Sequence, residues 1–407
     1  MKRLIIFSAV ILAMALLCTQ VFAQEAVESK YGVKLYGKIK ADLSFDDSTV
    51  STGNYGRWVA NETTAAGKDV DAMNLTASET RLGLDFKGPD YEDMETSGKV
   101  EVDFFDTALG ENKAQLYMRH AYAQVTWPDM DLSVLAGQTW DVIAPLNPTT
   151  LNYSVMWWQG NIQYRRPQVR VTKGIDLDND MKLLFQLAAA RNIGDAATAA
   201  GTATYPNTNV DTGVDNASPI WEGRVALSLP LLTEKMSSFG ISGAVGTETR
   251  YTNAAKTLSQ DYDVSVLALD VSLPLVEGVA LKGEYWSGKN VDAFLGGIGQ
   301  GVNIAPTTGV AREVEADGYW MACAFGPYDD WSFNVGYGVD DPDDADLNAA
   351  ARTENTVLYA NVIYSVNEAV KVGLEIADLE TKYKPAAGAA ATKGDATRVQ
   401  ASMIYSF

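Results

Sequence analysis

Sixteen short stretches of alternating apolar and polar residues run through the chain, and every second connection between them is tight. The stretches span 31–45, 73–88, 96–107, 114–127, 131–140, 162–173, 181–192, 218–230, 238–251, 261–275, 279–290, 313–327, 330–340, 354–365, 369–383 and 395–407. In the first, Val33, Leu35, Ile39, Ala41, Leu43 and Phe45 share one face, opposite Lys34, Tyr36, Lys38, Lys40 and Asp42. A period of two is the signature of a strand with one apolar face. Connections after even-numbered stretches are short: 128–130, 276–278, 328–329 and 366–368. Those after odd-numbered ones are mostly long: 46–72, 141–161, 193–217, 291–312, 341–353 and 384–394, with 108–113 and 252–260 shorter. A soluble sandwich has no reason to keep alternate connections tight. A transmembrane barrel does, because one end carries periplasmic turns and the other external loops. The expected fold class is therefore all-β: a closed, 16-stranded antiparallel transmembrane β-barrel with short periplasmic turns and long external loops.

The last nine residues, VQASMIYSF, sharpen this. Val399, Ala401, Met403, Tyr405 and Phe407 alternate up to the chain's final residue. A strand in last place needs a neighbour on each edge, and pairing with the first stretch near 31–45 supplies it. Within a bilayer that closure is compulsory, since an open edge leaves backbone groups unpaired in hydrocarbon. Tyr405 and Phe407 also suit an interfacial aromatic girdle.

The beginning of the chain sets its destination. Lys2 and Arg3 precede an apolar run ending at Val21-Phe22-Ala23, which reads as a signal peptide over 1–23 cleaved after Ala23. Leu17 before Cys18 does not fit a lipidation site. The mature chain would then be 24–407, with 30 basic against 52 acidic residues, a net of −22 instead of −20. Such acidity argues against nucleic acid as a partner. Cys323 is left alone and reads as a small strand filler, so no disulfide framework exists. No later stretch reaches the length of a membrane helix.

Catalytic and cofactor chemistry find no support. There is one histidine, His120, and no G-x-S-x-G, so an outer-membrane hydrolase lacks its nucleophile and base. GGIGQG lacks the final glycine of a dinucleotide fingerprint and precedes no helix. The run VDDPDDAD has the composition of a calcium loop without its spacing. It reads either as a solvated external loop or as a loose divalent bridge to lipopolysaccharide. No cofactor or metal is expected, and His120 reads as a polar lumen residue. A soluble adhesin would need an apolar interior, whereas here the inward faces are the charged ones.

Local wording then points to a family. RLGLDFKGP, GKVEVDFF, LYMRHAYAQV, LSVLAGQTW and RRPQVRVT, followed by GEYWSGKN, VGYGVDDP and RTENTVLYANVIYSV, resemble the Gram-negative outer-membrane porins, the DcaP-like porins in particular. The resemblance spans the mature chain. It implies a sixteen-stranded barrel in the bacterial outer membrane, a homotrimer among lipid and lipopolysaccharide, an inward-folded third loop and passage of small organic acids. Two departures stand out. Only QEAVESKYG precedes the first strand, where some relatives carry a coiled coil, and the chain is strongly acidic.

Parity along the strands selects candidate pore residues. Arg166 and Arg170 face inward with Gln168, opposite Pro167, Val169 and Val171; Arg81 goes inward with Asp85, Arg224 with Glu222, Arg250 with Glu248, Arg398 with Gln400. Lys38, Lys40, Lys99, Lys182 and Lys282 take the polar face too. A column of guanidinium groups offers a carboxylate successive charge-assisted stops. The alternative is an ordinary lumen wall whose bases are neutralised by acids such as Glu101, Asp103 and Glu284. Arg119 shares parity with the outward set Ala121, Ala123, Val125 and Trp127, which leaves either a rim position or a break in register.

The third long connection, 141–161 with its flanks, is the candidate constriction loop. Trp140, Tyr153, Trp157 and Trp158 would pack it on the wall, leaving Asp141, Asn147 and Asn152 to line the gap; as an external loop, its aromatics would instead meet a neighbouring subunit. Many acids fall in loops by this parse: Asp46, Asp47, Glu62, Asp69, Asp195, Asp211, Asp215 and Asp341 through Asp346. There, salt screens them within about 8–10 Å. The expected function is passive diffusion of small hydrophilic solutes, favouring small carboxylated anions. A general, weakly cation-preferring porin is the alternative.

Overall fold

In the computed structural model, residues 30–51, 55–63, 70–106, 114–193, 216–251, 259–304 and 310–407 are described. They build a wall of sixteen strands. These are β1 (Gly32–Asp46), β2 in two pieces (Ala72–Thr76 and Arg81–Lys87), β3 (Glu95–Asp106), β4 (Gln115–Trp127), β5 (Leu132–Trp140), β6 (Arg165–Asp176), β7 (Lys182–Ala190) and β8 (Ile220–Pro230). The second half comprises β9 (Met236–Tyr251), β10 (Ser259–Val276), β11 (Val279–Lys289), β12 (Glu315–Tyr328), β13 (Trp331–Pro342), β14 (Arg352–Ser365), β15 (Val370–Tyr383) and β16 (Thr392–Ser406). Each pairs antiparallel with the next, and β16 returns to β1, with Ala41 opposite Met403 and Phe45 opposite Val399. Even Phe407 joins the seam, its backbone exchanging two 3.1 Å bonds with Gly37. The barrel is closed. Among the described residues there is no α-helix, only short 3-10 turns.

The alternation sorts the two faces as expected. Leu35, Met73, Leu187, Leu267 and Met403 point outward and stay exposed, an arrangement suited to hydrocarbon and not to water. The inward face is less uniform. Polar residues line β1–β7, whereas Val264, Val266, Ala268, Trp286, Ala316, Trp320, Val357 and Tyr359 face inward on β10–β15 and are buried. They are buried because loops fill that side of the lumen.

Three local departures correct the parity reading. The sixth strand starts at Arg165 and not at 162, because residues 162–164 belong to the third loop. The second strand is interrupted between Thr76 and Arg81, where Glu79 turns in to meet Lys38 and Lys40. At β4, Glu101 pairs with His120 but Val102 pairs with Met118, so Arg119 is the extra residue of a β-bulge. The bulge turns Arg119 into the lumen beside His120, so of the two alternatives for this residue the break in register holds and the rim position does not.

The signal segment 1–23, and the acids Asp69, Asp195, Asp211 and Asp215, lie outside the described residues. Asp46 is no loop residue: it ends β1, faces inward and is buried. Asp341 is also a strand residue, on the outward face of β13.

Candidate functional site

The third loop, residues 141–164, folds into the barrel and follows its inner wall. Successive backbone N–H groups are taken by inward side chains: Val142 donates to Glu222 on β8 (2.9 Å), Ala144 to Ser242 on β9 (3.3 Å) and Leu146 to Glu284 on β11 (2.7 Å). At the tip, Leu151 and Asn152 donate to the two oxygens of Glu375 on β15 (2.6 and 3.1 Å). The Leu151 carbonyl accepts from Lys40 on β1 (2.6 Å) and from Gln400 on β16 (2.8 Å). Glu284 therefore neutralises no wall base; its second oxygen takes the Trp320 indole N–H at 2.8 Å. Three buried carboxyl groups, those of Glu222, Glu284 and Glu375, accept the loop's backbone N–H groups and pin it to the wall.

The returning limb packs on the opposite side. The Tyr153 ring stacks on Phe105 at 3.9 Å and its hydroxyl donates to Asp103. Burial pushes the Tyr153 hydroxyl up to about 12, so it stays a donor at any physiological pH. Gly160, at φ +104°, lies so close to β12 that a Cβ there would sit 2.0 Å from the Tyr319 carbonyl oxygen. Its carbonyl accepts from the Trp286 indole at 2.8 Å. Asp141 is fully buried and does not line the gap. Its oxygens accept from Arg166 (2.8 and 3.1 Å) and from the Tyr164 N–H (3.0 Å), closing the loop at its base. Asn147 reaches Gln163 and Asn161, and the Asn152 side chain accepts from the Ser154 N–H, so both brace the loop internally.

A second loop enters the lumen, which the sequence reading left outside. Between β11 and β12, residues 290–304 and 310–314 are described, and Val291, Phe294 and Ile298 are buried. The Ala293 carbonyl accepts from Arg166 (2.8 Å), that of Phe294 from the Gln163 N–H (2.9 Å) and that of Leu295 from the Trp158 N–H (3.0 Å). The glycine run makes this possible: a Cβ on Gly296 would collide with Ile162 at 2.9 Å. The first loop enters as well, its Arg57 carbonyl held by Asn355 (2.7 Å) and Gln159 (3.1 Å). Tyr55, Trp58, Phe105, Trp140, Tyr153, Trp157 and Trp158 meet in one aromatic cluster where these loops join.

The inward bases divide by their partners. Arg224 forks onto Asp270 (2.7 and 3.1 Å), Arg398 onto Asp46 (3.0 Å) and Arg250 onto Glu248 (2.7 Å). Arg81 lies 3.5 Å from Glu101, and Arg119 binds Glu101 (2.7 Å) and Asp103 (2.9 Å). Lys38 and Lys40 share Glu79, Lys99 meets Asp85 (2.7 Å), and Lys182 meets Asp131 (2.5 Å). Arg166 belongs to the loop base. Among the described residues, only Arg170 and Lys282 of the expected set have no acidic partner; Arg170 makes one long contact, 3.5 Å to the Trp140 carbonyl. His120 bonds Thr139 at 3.0 Å, and among the described residues no group of acids, histidines or cysteines is set to hold a metal.

The sequence profile of the Gram-negative porins matches residues 8–384. The chain belongs to that family. Solved structures agree on the fold. The outer membrane channel DcaP of Acinetobacter baumannii superposes with a TM-score of 0.71 at 21% identity, over 93% of this chain and 99% of that one. An anion-selective porin from Comamonas acidovorans gives 0.54 at 13%, over 93% and 100%. OmpT of Vibrio cholerae in a trimer form gives 0.51 at 13%, over 92% and 99%. No curated protein matches the sequence. The porin is thus a channel of the outer membrane and not an enzyme.

Three arginines of this porin escaped the parity reading. Arg165 ends the outward row of β6, yet it is 3% exposed and lies over the rings of Trp140 (4.3 Å), Tyr117 (5.5 Å) and Trp157 (5.7 Å). Arg57 and Arg352 flank the Trp58 ring at 4.4 and 4.0 Å. Arg165 adjoins a loop carrying Trp157 and Trp158, and Arg57 directly precedes Trp58; Arg352, beside a loop without tryptophan, carried no signal in the sequence.

Proposed function

We propose that this porin passes small hydrophilic solutes by passive diffusion with a preference for small carboxylated anions. One observation carries the reading: lumen acids are engaged by wall bases or by loop N–H groups, while, among the described residues, Arg170 and Lys282 have no acid within ion-pair distance. In a narrow passage, where water is scarce, such local charge outweighs the distant acids behind the net charge of −20. The likeness to an anion-selective porin supports the same direction. Planar-bilayer recording of the purified protein in a potassium chloride gradient, with succinate added, tests it: the reversal potential should favour the anion and succinate should block or permeate. A cation-favouring potential would establish the alternative, a general, weakly cation-preferring porin.

The mature form we infer is residues 24–407 after cleavage at Ala23, assembled as a homotrimer amid lipid and lipopolysaccharide. The trimer form of the structurally similar OmpT supports the assembly. Light scattering of detergent-extracted protein should give about three times the monomer mass, and N-terminal sequencing should begin at Gln24.

A further inference from the structure

Twelve arginines are described, and the partners of eleven of them, all but Arg191, fall into a pattern. Seven contact a carboxylate: Arg81, Arg119, Arg166, Arg224, Arg250, Arg312 and Arg398. Arg57, Arg165, Arg170 and Arg352 have no carboxylate partner, and all four attach to the aromatic junction of the loops. Arg352 and Arg57 lie on Trp58, Arg57 also on Trp158 (5.2 Å), Arg165 on Trp140 and Trp157, and Arg170 reaches the Trp140 carbonyl. The rings are continuous, with Trp157 6.4 Å from Trp158 and 6.0 Å from Trp140.

Burying a charge without a counter-charge is expensive. Stacking on a ring returns about 0.5–2 kcal/mol per guanidinium, only part of that cost. Nε of Arg57 and both Nε and Nη1 of Arg165 are buried and make no hydrogen bond, whereas Arg352 gives its Nε and Nη2 to the Ile298 carbonyl (3.2 and 2.9 Å). The nearby acid, Asp103, already accepts from Arg119 and Tyr153. What fits is an acceptor-only group that brings its own negative charge. Nε with an adjacent nitrogen is the edge of a guanidinium that holds a carboxylate with two parallel bonds. The surrounding ring faces would contact a ligand's apolar body and exclude water.

We propose that the junction is an anion-binding site, with Arg57 as the outer station, the charge of Arg352 beside it across Trp58, and Arg165 as the inner station, handing a small carboxylate to Arg170. The assignment rests on the anion preference proposed above and names side chains that preference does not require. The test uses the purified full-length protein in planar bilayers, with chloride and succinate as probes. Arg57→Gln, Arg352→Gln and Arg165→Gln are compared with wild type and with Asp343→Asn/Asp344→Asn as a charge-altered control. Loss of a charged hydrogen bond predicts that the half-blocking succinate concentration rises about tenfold or more in Arg57→Gln and Arg165→Gln, and loss of the neighbouring charge alone predicts a smaller rise, about threefold, in Arg352→Gln. The control should match wild type. If wild type favours anions and blocks normally while Arg57→Gln and Arg352→Gln do the same, the site is refuted and the preference stands on Arg170 and Lys282. If wild type shows no anion preference, both readings fall. Should Arg165→Gln not fold, the half-buried Arg57 and Arg352 decide the matter alone.

Discussion

Arg166 and Arg170 share a face of β6 four residues apart, yet the structure gives them opposite jobs, and replacing each by methionine separates the two. Arg166 is completely buried, with two bonds to Asp141 and one to the Ala293 carbonyl. Arg166→Met strands the Asp141 carboxylate in a dry site, and breaking a buried pair from one side costs about 3–5 kcal/mol. It also removes the side chain that ties the third loop to the β11–β12 loop, so the open channel should become noisier and more conductive. Arg170 makes one 3.5 Å contact, and Arg170→Met should change stability by about 0.5 kcal/mol or less. Its effect is on selectivity. A unit charge roughly 6 Å from a passing ion contributes about 0.7 kcal/mol at the dielectric constant of water, and twice that if confinement halves it. That corresponds to a threefold to tenfold loss of anion over cation permeability. Denaturant unfolding in detergent reads the first quantity and the reversal potential reads the second. If Arg166→Met keeps full stability and loses selectivity as strongly as Arg170→Met, the division of labour is wrong.

Three further outcomes follow from the pairing pattern. Glu79→Gln removes the shared partner of Lys38 and Lys40, and should raise anion preference by a similar threefold to tenfold, read from the same reversal potential. Asp343→Asn with Asp344→Asn should leave selectivity within about twofold of wild type, because both are exposed to screening salt; a larger change would mean that loop acids govern the current. Ala41→Cys with Met403→Cys should crosslink through a short reagent in the folded protein and block heat-induced separation of the seam, since the two face each other across β1 and β16.

Period-two patterning carried the wall because every barrel strand keeps one face in lipid, and that constraint repeats without interruption from Val33 to Met403. It misled where the constraint lapses. At Arg119 a bulge adds one residue and reverses parity, a change that counting flags as an anomaly without locating the bulge. At Arg165 the strand has reached the mouth, and the side chain answers to loop aromatics and not to lipid. The third loop was legible from its length and its aromatic residues. The second inward loop was not, since its signal is a run of glycines whose function is close approach to a surface supplied by distant strands. Charge partners were the least legible part. Glu222, Glu284 and Glu375 look like counter-ions in a strand list, but their ligands are backbone groups of a loop far away in sequence.

The bonds at Leu151 bear on how such a molecule is assembled. Its carbonyl accepts from Lys40 on the first strand and from Gln400 on the last, while its N–H meets Glu375 one strand further in. A residue from the middle of the chain thus spans the join between the two ends, from the inside. The β11–β12 loop and the wall residues Trp286 and Trp320 pack against the same loop, so its seat is shared with parts of the wall far from the seam. A loop placed there before the first and last strands meet would act as an inner former for their pairing. Defects at its tip would then appear first as slow or failed barrel closure during biogenesis, before any change in what the completed channel conducts.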